Sequence, residues 1–363
     1  MYTLGIDLHK QFALWSMVDD QGSVMWQKKL DTDLASLPAI AETLPTPCQA
    51  VLEPTGCFAL YAQILEEHQI KTHLAHPVKV KYIAESKNKN DKIDATILAQ
   101  LLRTNFLPEA YLPTCEIREL RSLLNYRNQL VTMRTMAKNR MRMLLNQLNI
   151  KAKFSDIFGK KGIVFLRSLN LSALNQVQRD QLINVVGNLN SHIKAIKQGL
   201  DKIAIEDDDI VRMQTIPSVG VIAATTIKAY VGDFSRFPNA KKLASYAGLV
   251  PSVRQSGTHT KTGHITKEGP KILRAVLVQA ATSMRPSAGE LYKQHQKRSK
   301  EIGFKKARIA LAKKLLTIAY RVVTDKTIFQ DSSNCENTKL CLQHNPDINK
   351  EMSKTRSIHS ASN

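Results

Sequence analysis

The sequence is short of cysteine, short of acid, and without any long apolar run. Its five cysteines (Cys48, Cys57, Cys115, Cys335 and Cys341) are scattered, and none forms a Cys-x-x-Cys pair. That spacing excludes a disulfide framework and a cysteine-built zinc site. No apolar stretch approaches the roughly 20 residues a bilayer crossing requires, so no transmembrane helix and no membrane partner are expected. The chain opens directly into a strand-like run, with no signal-peptide pattern before it. Together these absences set the expectation of a cytoplasmic protein in a reducing compartment. Asp and Glu number 31 against 52 Lys and Arg, a formal net charge of +21. An excess of that size favours a polyanionic partner, nucleic acid before any acidic membrane surface. With 363 residues, one core does not suffice, and two or three domains are expected.

The first 112 residues alternate strand-like and helix-like segments. Tyr2–His9 and Phe12–Val18 read as strands, and Asp19-Asp20-Gln21-Gly22 has the composition of a hairpin turn before a third strand at Val24–Lys28. A helix near 34–43, a strand at Gln49–Leu52, a helix at Phe58–His68 and a strand at Thr72–Ala75 follow, and His76-Pro77 reads as a stop. An antiparallel start followed by alternating helices and strands predicts an α/β domain over residues 1–112.

Four carboxylates in this domain stand where packing does not call for them. Asp7 ends the first strand and Glu53 ends the fourth, the sheet edge at which open α/β folds place their ligands. Asp91 and Asp94 leave one face at the start of a helix running to about Arg103. At that spacing the two repel unless something positive lies between them. Singly, each has a plain explanation as a turn cap or as an acid favoured by a helix dipole. A strand-1 Asp, a strand-4 Glu and a helical Asp-x-x-Asp together make the layout of an RNase H-like nuclease. Four oxygen ligands suit Mg²⁺ or Mn²⁺ and not zinc, and a two-metal phosphoryl-transfer site needs that many.

Residues 113–205 form a basic helical region. Leu123, Leu130, Ala137, Met141, Leu144 and Leu148 recur at heptad-like spacing among Arg118, Arg121, Arg127, Arg134, Lys138, Arg140 and Arg142. A second seam runs through Leu182, Val186, Leu189, Ile193, Ile196, Leu200 and Ile203. It pairs either with the first helix or with another subunit.

Residues 206–330 make a third, mainly helical region. Glu206-Asp207-Asp208-Asp209 reads as a helix cap, and Ile216-Pro217-Ser218-Val219-Gly220 as a turn of helix-hairpin-helix type, whose backbone N–H groups hold phosphate without reading sequence. Tyr246–Arg274 is poor in apolar residues and rich in glycine, hydroxyls and cations, so it reads as an anion-holding loop. Its candidate nucleic-acid contacts are Arg254, His259, Lys261, Lys267 and Arg274. Ser256 has no Asp partner for a hydrolase triad. Gly289–Asp325 reads as a basic amphipathic helical region, and residues 331–363 have the composition of a disordered tail.

The motifs Gly5-Ile6-Asp7-Leu8-His9-Lys10, Glu53-Pro54-Thr55-Gly56, Asp91-Lys92-Ile93-Asp94-Ala95, Ile216-Pro217-Ser218-Val219-Gly220, and Ser256-Gly257 followed by Gly263-His264-Ile265-Thr266-Lys267 through Leu273-Arg274 resemble, in order and spacing, the DEDD transposases of bacterial insertion sequences. These are the insertion-sequence 110 family, with its Piv-type DNA invertase relatives. The resemblance implies a RuvC-like N-terminal domain, a coiled-coil connector and a C-terminal domain with a catalytic serine. It implies that Asp7, Glu53, Asp91 and Asp94 are the metal-binding tetrad, and that Ser256 attacks the scissile phosphate to leave a phosphoserine link to DNA. The implied partners are element-end and target DNA, a structured guide RNA, and further copies of the chain in a dimer or tetramer. One departure stands out: the family commonly has paired serines and glycines followed by lysine, whereas this chain has Gln255-Ser256-Gly257-Thr258-His259.

The expected function is therefore a site-directed DNA recombinase acting in the bacterial cytoplasm, nucleoid-associated when bound to DNA. Its alternatives are a Piv-like invertase, a structure-specific nuclease of junction-resolvase type in which metal-activated water attacks, and a nonenzymatic nucleic-acid binder. Because Ser256 follows the aspartate pair by about 160 residues, a recombinase site is expected to be composite.

Overall fold

The computed structural model describes residues 1–33, 35–83, 91–256 and 259–330. The tail expected at 331–363 lies outside them. The chain divides into two compact units, one spanning Met1–Thr114 and the other beginning at Cys115.

In the first unit the strands are β1 (Tyr2–Leu8), β2 (Phe12–Val18) and β3 (Val24–Asp31), followed by α1 (Leu37–Glu42), β4 (Cys48–Leu52), α2 (Phe58–Glu67), β5 (Lys71–Ala75), α3 (Pro77–Ile83), α4 (Asp91–Arg103) and the two-residue β6 (Glu109–Ala110). They form one sheet in the order β3-β2-β1-β4-β5-β6. β1, β4 and β5 run parallel; β2, β3 and β6 pair antiparallel. β1 and β2 are buried on both faces, which is why they read as continuous apolar runs. On one face Leu4, Ile6, Trp15 and Leu52 pack under Tyr61 and Leu65 of α2 and Leu37 of α1. On the other, Val51 and Ala75 pack under Leu98 and Leu102 of α4. β3 is the exposed outer strand.

Two elements depart from expectation. His76-Pro77 ends β5 at Ala75 as the sequence predicts, but Pro77 also opens α3, a helix the prediction lacks. Proline at the first helical position loses no hydrogen bond there, and its fixed φ suits the turn. β6 is missing from the prediction because two residues carry no periodicity.

The second unit contains α5 (Cys115–Gln147), α6 (Lys160–Ser168), α7 (Ala173–Glu206), α8 (Asp208–Gln214), α9 (Val221–Val231), α10 (Ala240–Tyr246), β7 (Pro251–Ser256), β8 (His259–Ile265), α11 (Lys271–Thr282), α12 (Glu290–Ile302) and α13 (Phe304–Thr324). α5 and α7 form an antiparallel hairpin within one chain. At its base Leu120 and Leu124 join Leu200 and Ala204 in the main core. Midway Leu130 meets Leu189 and Ile193. At its tip Met141, Leu144 and Leu145 enclose Ile157, Leu166 and Ile183. The expected seam holds at its centre and slips at its ends. Ile183 is buried with Leu182 only partly so, Ala204 replaces Ile203, which is 39% exposed, and Leu148 is exposed beyond the end of α5. A 3.6-residue helix drifts against a 3.5-residue pattern, so a seam drawn at constant phase leaves the contact line at its extremities.

The expected acidic cap is present. Asp207 accepts hydrogen bonds from the backbone N–H of Asp209 (2.9 Å) and Ile210 (3.1 Å), and Lys228 of α9 reaches Asp207 at 3.5 Å and Asp209 at 2.6 Å. Burial opposes the charge on Lys228, but these carboxylates outweigh it and raise its pKa. Gly303, at φ 84°, divides the predicted basic helical stretch into α12 and α13, and Leu311, Leu315 and Leu316 form its buried side. Among the described residues no helix is long and apolar enough to cross a membrane.

The slipped seam is testable. Leu200→Ala empties a fully buried position and is expected to cost about 2–5 kcal/mol, whereas Ile203→Ala is expected to cost under about 1 kcal/mol. Urea denaturation midpoints of the two variants make the comparison.

Candidate active site

β1 and β4 run parallel with Ile6 paired to Leu52, so Asp7 and Glu53 come next, side by side at the strand ends. Ile6 and Leu52 point into the core under α2. By alternation their successors point to the opposite face, the one α4 covers. Asp7 is 8% exposed, and the His9 Nε2 atom lies 3.1 Å from its Oδ2. A carboxylate buried that far needs such a partner, or a cation, to offset lost hydration. The Glu53 turn is tied to the same place. The Thr55 hydroxyl donates to the Leu8 carbonyl (2.9 Å), and the Thr55 N–H donates to the Glu53 carbonyl (2.8 Å).

α4 carries Asp94 and reaches this face through a notch in β1. A Cβ built on Gly5 would fall 1.9 Å from the Ala95 carbonyl oxygen and 2.8 Å from the Ala99 nitrogen. Only glycine lets the helix backbone lie this close. Polar contacts then set its rotation and height. The Thr96 hydroxyl meets Ser16 Oγ at 2.7 Å and receives a hydrogen bond from Gln27 Nε2 at 2.8 Å. Further along, Gln100 Nε2 donates to the Gly22 carbonyl (2.6 Å), and Arg103 Nη1 to that of Asp20 (3.2 Å). Asp94 is half-buried one residue before the notch contact; Asp91 is the first residue of α4, and its side chain lies outside the described residues. Asp7, Glu53 and the start of α4 thus share one face of the sheet. Among the described residues, no three His, Cys, Asp or Glu side chains are already gathered closely enough to hold a metal. The donors on this face are nonetheless carboxylates in the main, a set suited to a hard divalent cation.

In the second unit the stretch predicted as a loop is a β-hairpin. β7 pairs antiparallel with β8, Ser256 opposite His259. Ser256 therefore ends its strand at the turn; Gly257 and Thr258 lie outside the described residues, as do the side chains of Arg254, Ser256, His259 and Lys261. The expectation failed because the strands have no buried alternation: Val253 is 58% exposed, and the hairpin is held at its root instead. There the Thr266 N–H donates to the Val250 carbonyl (2.9 Å). Gly269, at φ +74°, brings its backbone so close that a Cβ would fall 1.9 Å from the Tyr246 carbonyl oxygen. Arg274 Nη1 donates to the carbonyls of Glu268 (2.7 Å), Gly269 (3.1 Å) and Ala247 (3.2 Å), so this nitrogen secures the root. Lys267 adopts φ +57° at the same root. Arg121 is likewise engaged, with Nε on the Ala229 carbonyl (2.7 Å) at the end of α9.

Ile216–Gly220 lies in the turn between α8 and α9, the place the helix-hairpin-helix reading gives it. Gly220 is the exposed N-cap of α9, which has no side-chain cap.

An α/β unit with Asp7, Glu53 and Asp94 on one sheet face, followed by a basic and mainly helical unit, suits a protein that acts on nucleic acid. Residues 4–150 match the family model of IS110-type DEDD proteins, described as a transposase, and residues 211–296 match that of the transposase IS116/IS110/IS902 family. The chain belongs to the IS110 family of transposases. It is 27% identical to the transposase for insertion sequence element IS1111A of Coxiella burnetii, over 77% of each chain. Identity to the transposase for insertion sequence element IS1328 of Yersinia enterocolitica is 25%, over 90% of this chain and 98% of that one. The pilin gene-inverting protein of Moraxella lacunata is 28% identical over 77% of this chain and 81% of its own.

The notch gives a test of the geometry. Gly5→Ala forces α4 off β1 and is expected to lower stability by about 1–3 kcal/mol. DNA-cleaving activity is expected to fall further than that loss explains, because Asp94 moves with the helix. Differential scanning fluorimetry beside a cleavage assay at a temperature where the variant is folded separates the two effects.

Proposed function

We propose that this transposase is a divalent-metal-dependent DNA recombinase that cleaves and rejoins strands through a phosphoserine at Ser256. The observation that carries the reading is the parallel register that sets Asp7 beside Glu53 on the face crossed by the Asp94 helix. The order β3-β2-β1-β4-β5, antiparallel then parallel, supports a RuvC-like assignment of the first unit. Asp7, Glu53, Asp91 and Asp94 would hold Mg²⁺ or Mn²⁺, which supplies Lewis-acid stabilisation of charge on phosphate oxygens when bound.

This chain's own residues do the rest. Ser256, at the end of an anchored hairpin strand, supplies the attacking oxygen. Its Oγ bonds to the scissile phosphorus, the P–O3′ bond breaks, and the serine proton is balanced by the one the departing 3′-oxygen takes up. Rejoining reverses this at a new 3′-hydroxyl and regenerates the serine. The number of phosphate ester bonds is conserved, so no nucleotide cofactor is required. His9 orients Asp7, while Gly5, Thr96 and Gln100 hold Asp94 at its height over the sheet. Arg254, His259, Lys261 and Lys267 surround the serine in sequence and are assigned to the DNA backbone. Arg274 holds the hairpin root and serves DNA through it.

The substrates are the ends of the element and its target. A structured guide RNA and further copies of the chain complete the assembly, in keeping with the net charge of +21. The setting is the bacterial cytoplasm, at the nucleoid. The relatives named for insertion sequences and for pilin gene inversion carry different outcomes, and strand exchange through serine serves either.

The test is to trap the adduct. Full-length protein, Mg²⁺, guide RNA and element-junction DNA are expected to give a protein–DNA species that survives denaturation and maps to Ser256. Ser256→Ala is expected to abolish it, and Asp94→Asn to slow its formation at least about a hundredfold. Strand cleavage that persists in Ser256→Ala would show that water is the nucleophile and end the recombinase reading.

A further inference from the structure

Asp7 stands opposite Leu14, and Leu14 stands opposite Lys29. The three side chains therefore form a single row across β1, β2 and β3, on the face that α4 covers. Two strand spacings put Lys29 about 10 Å from Asp7. Phe12 lies on the same face two residues from Leu14. The Lys29 ammonium sits 3.9 Å above its ring centroid, and the ring packs against His9 at 4.6 Å, tilted 37°. Lys29 is exposed and Phe12 half-buried. Among the described residues no carboxylate pairs with Lys29.

This corner is held rigidly. The His9 N–H donates to the Phe12 carbonyl (2.9 Å), the Thr32 hydroxyl to the His9 carbonyl (3.1 Å), and the Thr32 N–H to the Gln11 carbonyl (3.1 Å). Beside the row is a small pocket of about 90 Å³, lined by Leu14, Trp15, Gln27, Lys28, Lys29 and Ala95, the residue that follows Asp94. A cation preorganised on an aromatic ring, beside a carboxylate site, has the chemistry of a contact to the phosphates of a DNA strand. The ring beneath it holds the ammonium in place, and the ammonium meets a phosphate.

We propose that Phe12 and Lys29 grip the DNA strand as it leaves the carboxylates, within about three nucleotides of the scissile phosphate at 3.4 Å of rise per nucleotide. This rests on the reading that the carboxylates hold that phosphate. β3 carries lysines at 28 and 29; Lys28 stands opposite Trp15 on the α2 face, and Lys29 is the one in the row with Asp7. A shift of one would turn Lys29 to the α2 face.

The experiment keeps the two claims apart by working in full-length Ser256→Ala protein, where binding does not depend on serine chemistry. Benzoylphenylalanine replaces Phe12, or, as a control, Leu60, which is 47% exposed on α2 on the opposite face. After irradiation with element-junction DNA, guide RNA and Mg²⁺, position 12 is expected to crosslink to DNA within about three nucleotides of the cleavage point, and position 60 is not. Lys29→Ala, an exposed change that leaves folding intact, is expected to lower the crosslink severalfold. It is also expected to reduce the slope of log affinity against log salt by about 0.7–0.9. A crosslink from position 12 to RNA, to distant DNA or to nothing overturns the proposal, as does an unchanged salt slope in Lys29→Ala. Neither result bears on whether the serine adduct forms in the native protein.

Discussion

The contact between Gly5 and Ala95 is the constraint on which the first unit is arranged. Two backbones meet where one side-chain atom would not fit, and that approach places a helix directly on β1. Everything chemical on this face follows from it. The strand beneath contributes Asp7, its parallel neighbour contributes Glu53, and the helix arrives with Asp94 one residue from the contact. Thr96, Gln100 and Arg103 spend polar groups on β2, β3 and the turn between them, so the helix is fixed in rotation as well as height. A carboxylate site assembled in this way is rigid because its supports are backbone and short polar side chains.

The second unit solves a different problem, that of presenting many cations without losing compactness. It does so by employing some of them internally. Arg121 closes the end of α9, Arg274 ties the hairpin root to α10, and Lys228 joins α9 to the cap of α8. In each case a charged group meets carbonyls or carboxylates that a helix end or loop leaves exposed. Positive charge read from the sequence therefore overstates what is free to meet a polyanion.

The sequence was informative where periodicity and residue type agree. β1 and β2 showed as apolar runs, the carboxylates showed as acids at strand ends, and Asp207 showed as a cap. It was silent where structure depends on register or on a partner's backbone. Lys29 looked like any exposed lysine until the pairing of three strands put it in line with Asp7. The 251–265 hairpin has no core of its own to announce it, being held by glycine contacts and by one arginine from outside the segment. Pro77 was read correctly as the stop of β5, but not also as the start of α3. The seam of α5 and α7 was legible at Leu189 and Ile193 and lost at its ends, where helix drift outruns a fixed repeat.

That seam also has a mechanical side. α5 and α7 hold 33 and 34 residues, a length of about 50 Å. Their base is embedded in the main core, their tip encloses a small core of its own, and between them only Leu130, Leu189, Ile193 and their neighbours bridge the pair. Such a hairpin is a lever with a stiff handle and a stiff head. A rotation of only about 10° at the base carries the head roughly 9 Å over that length, so the residues around Ile157 and Leu166 magnify small rearrangements of the core into displacements a distance probe reads with ease.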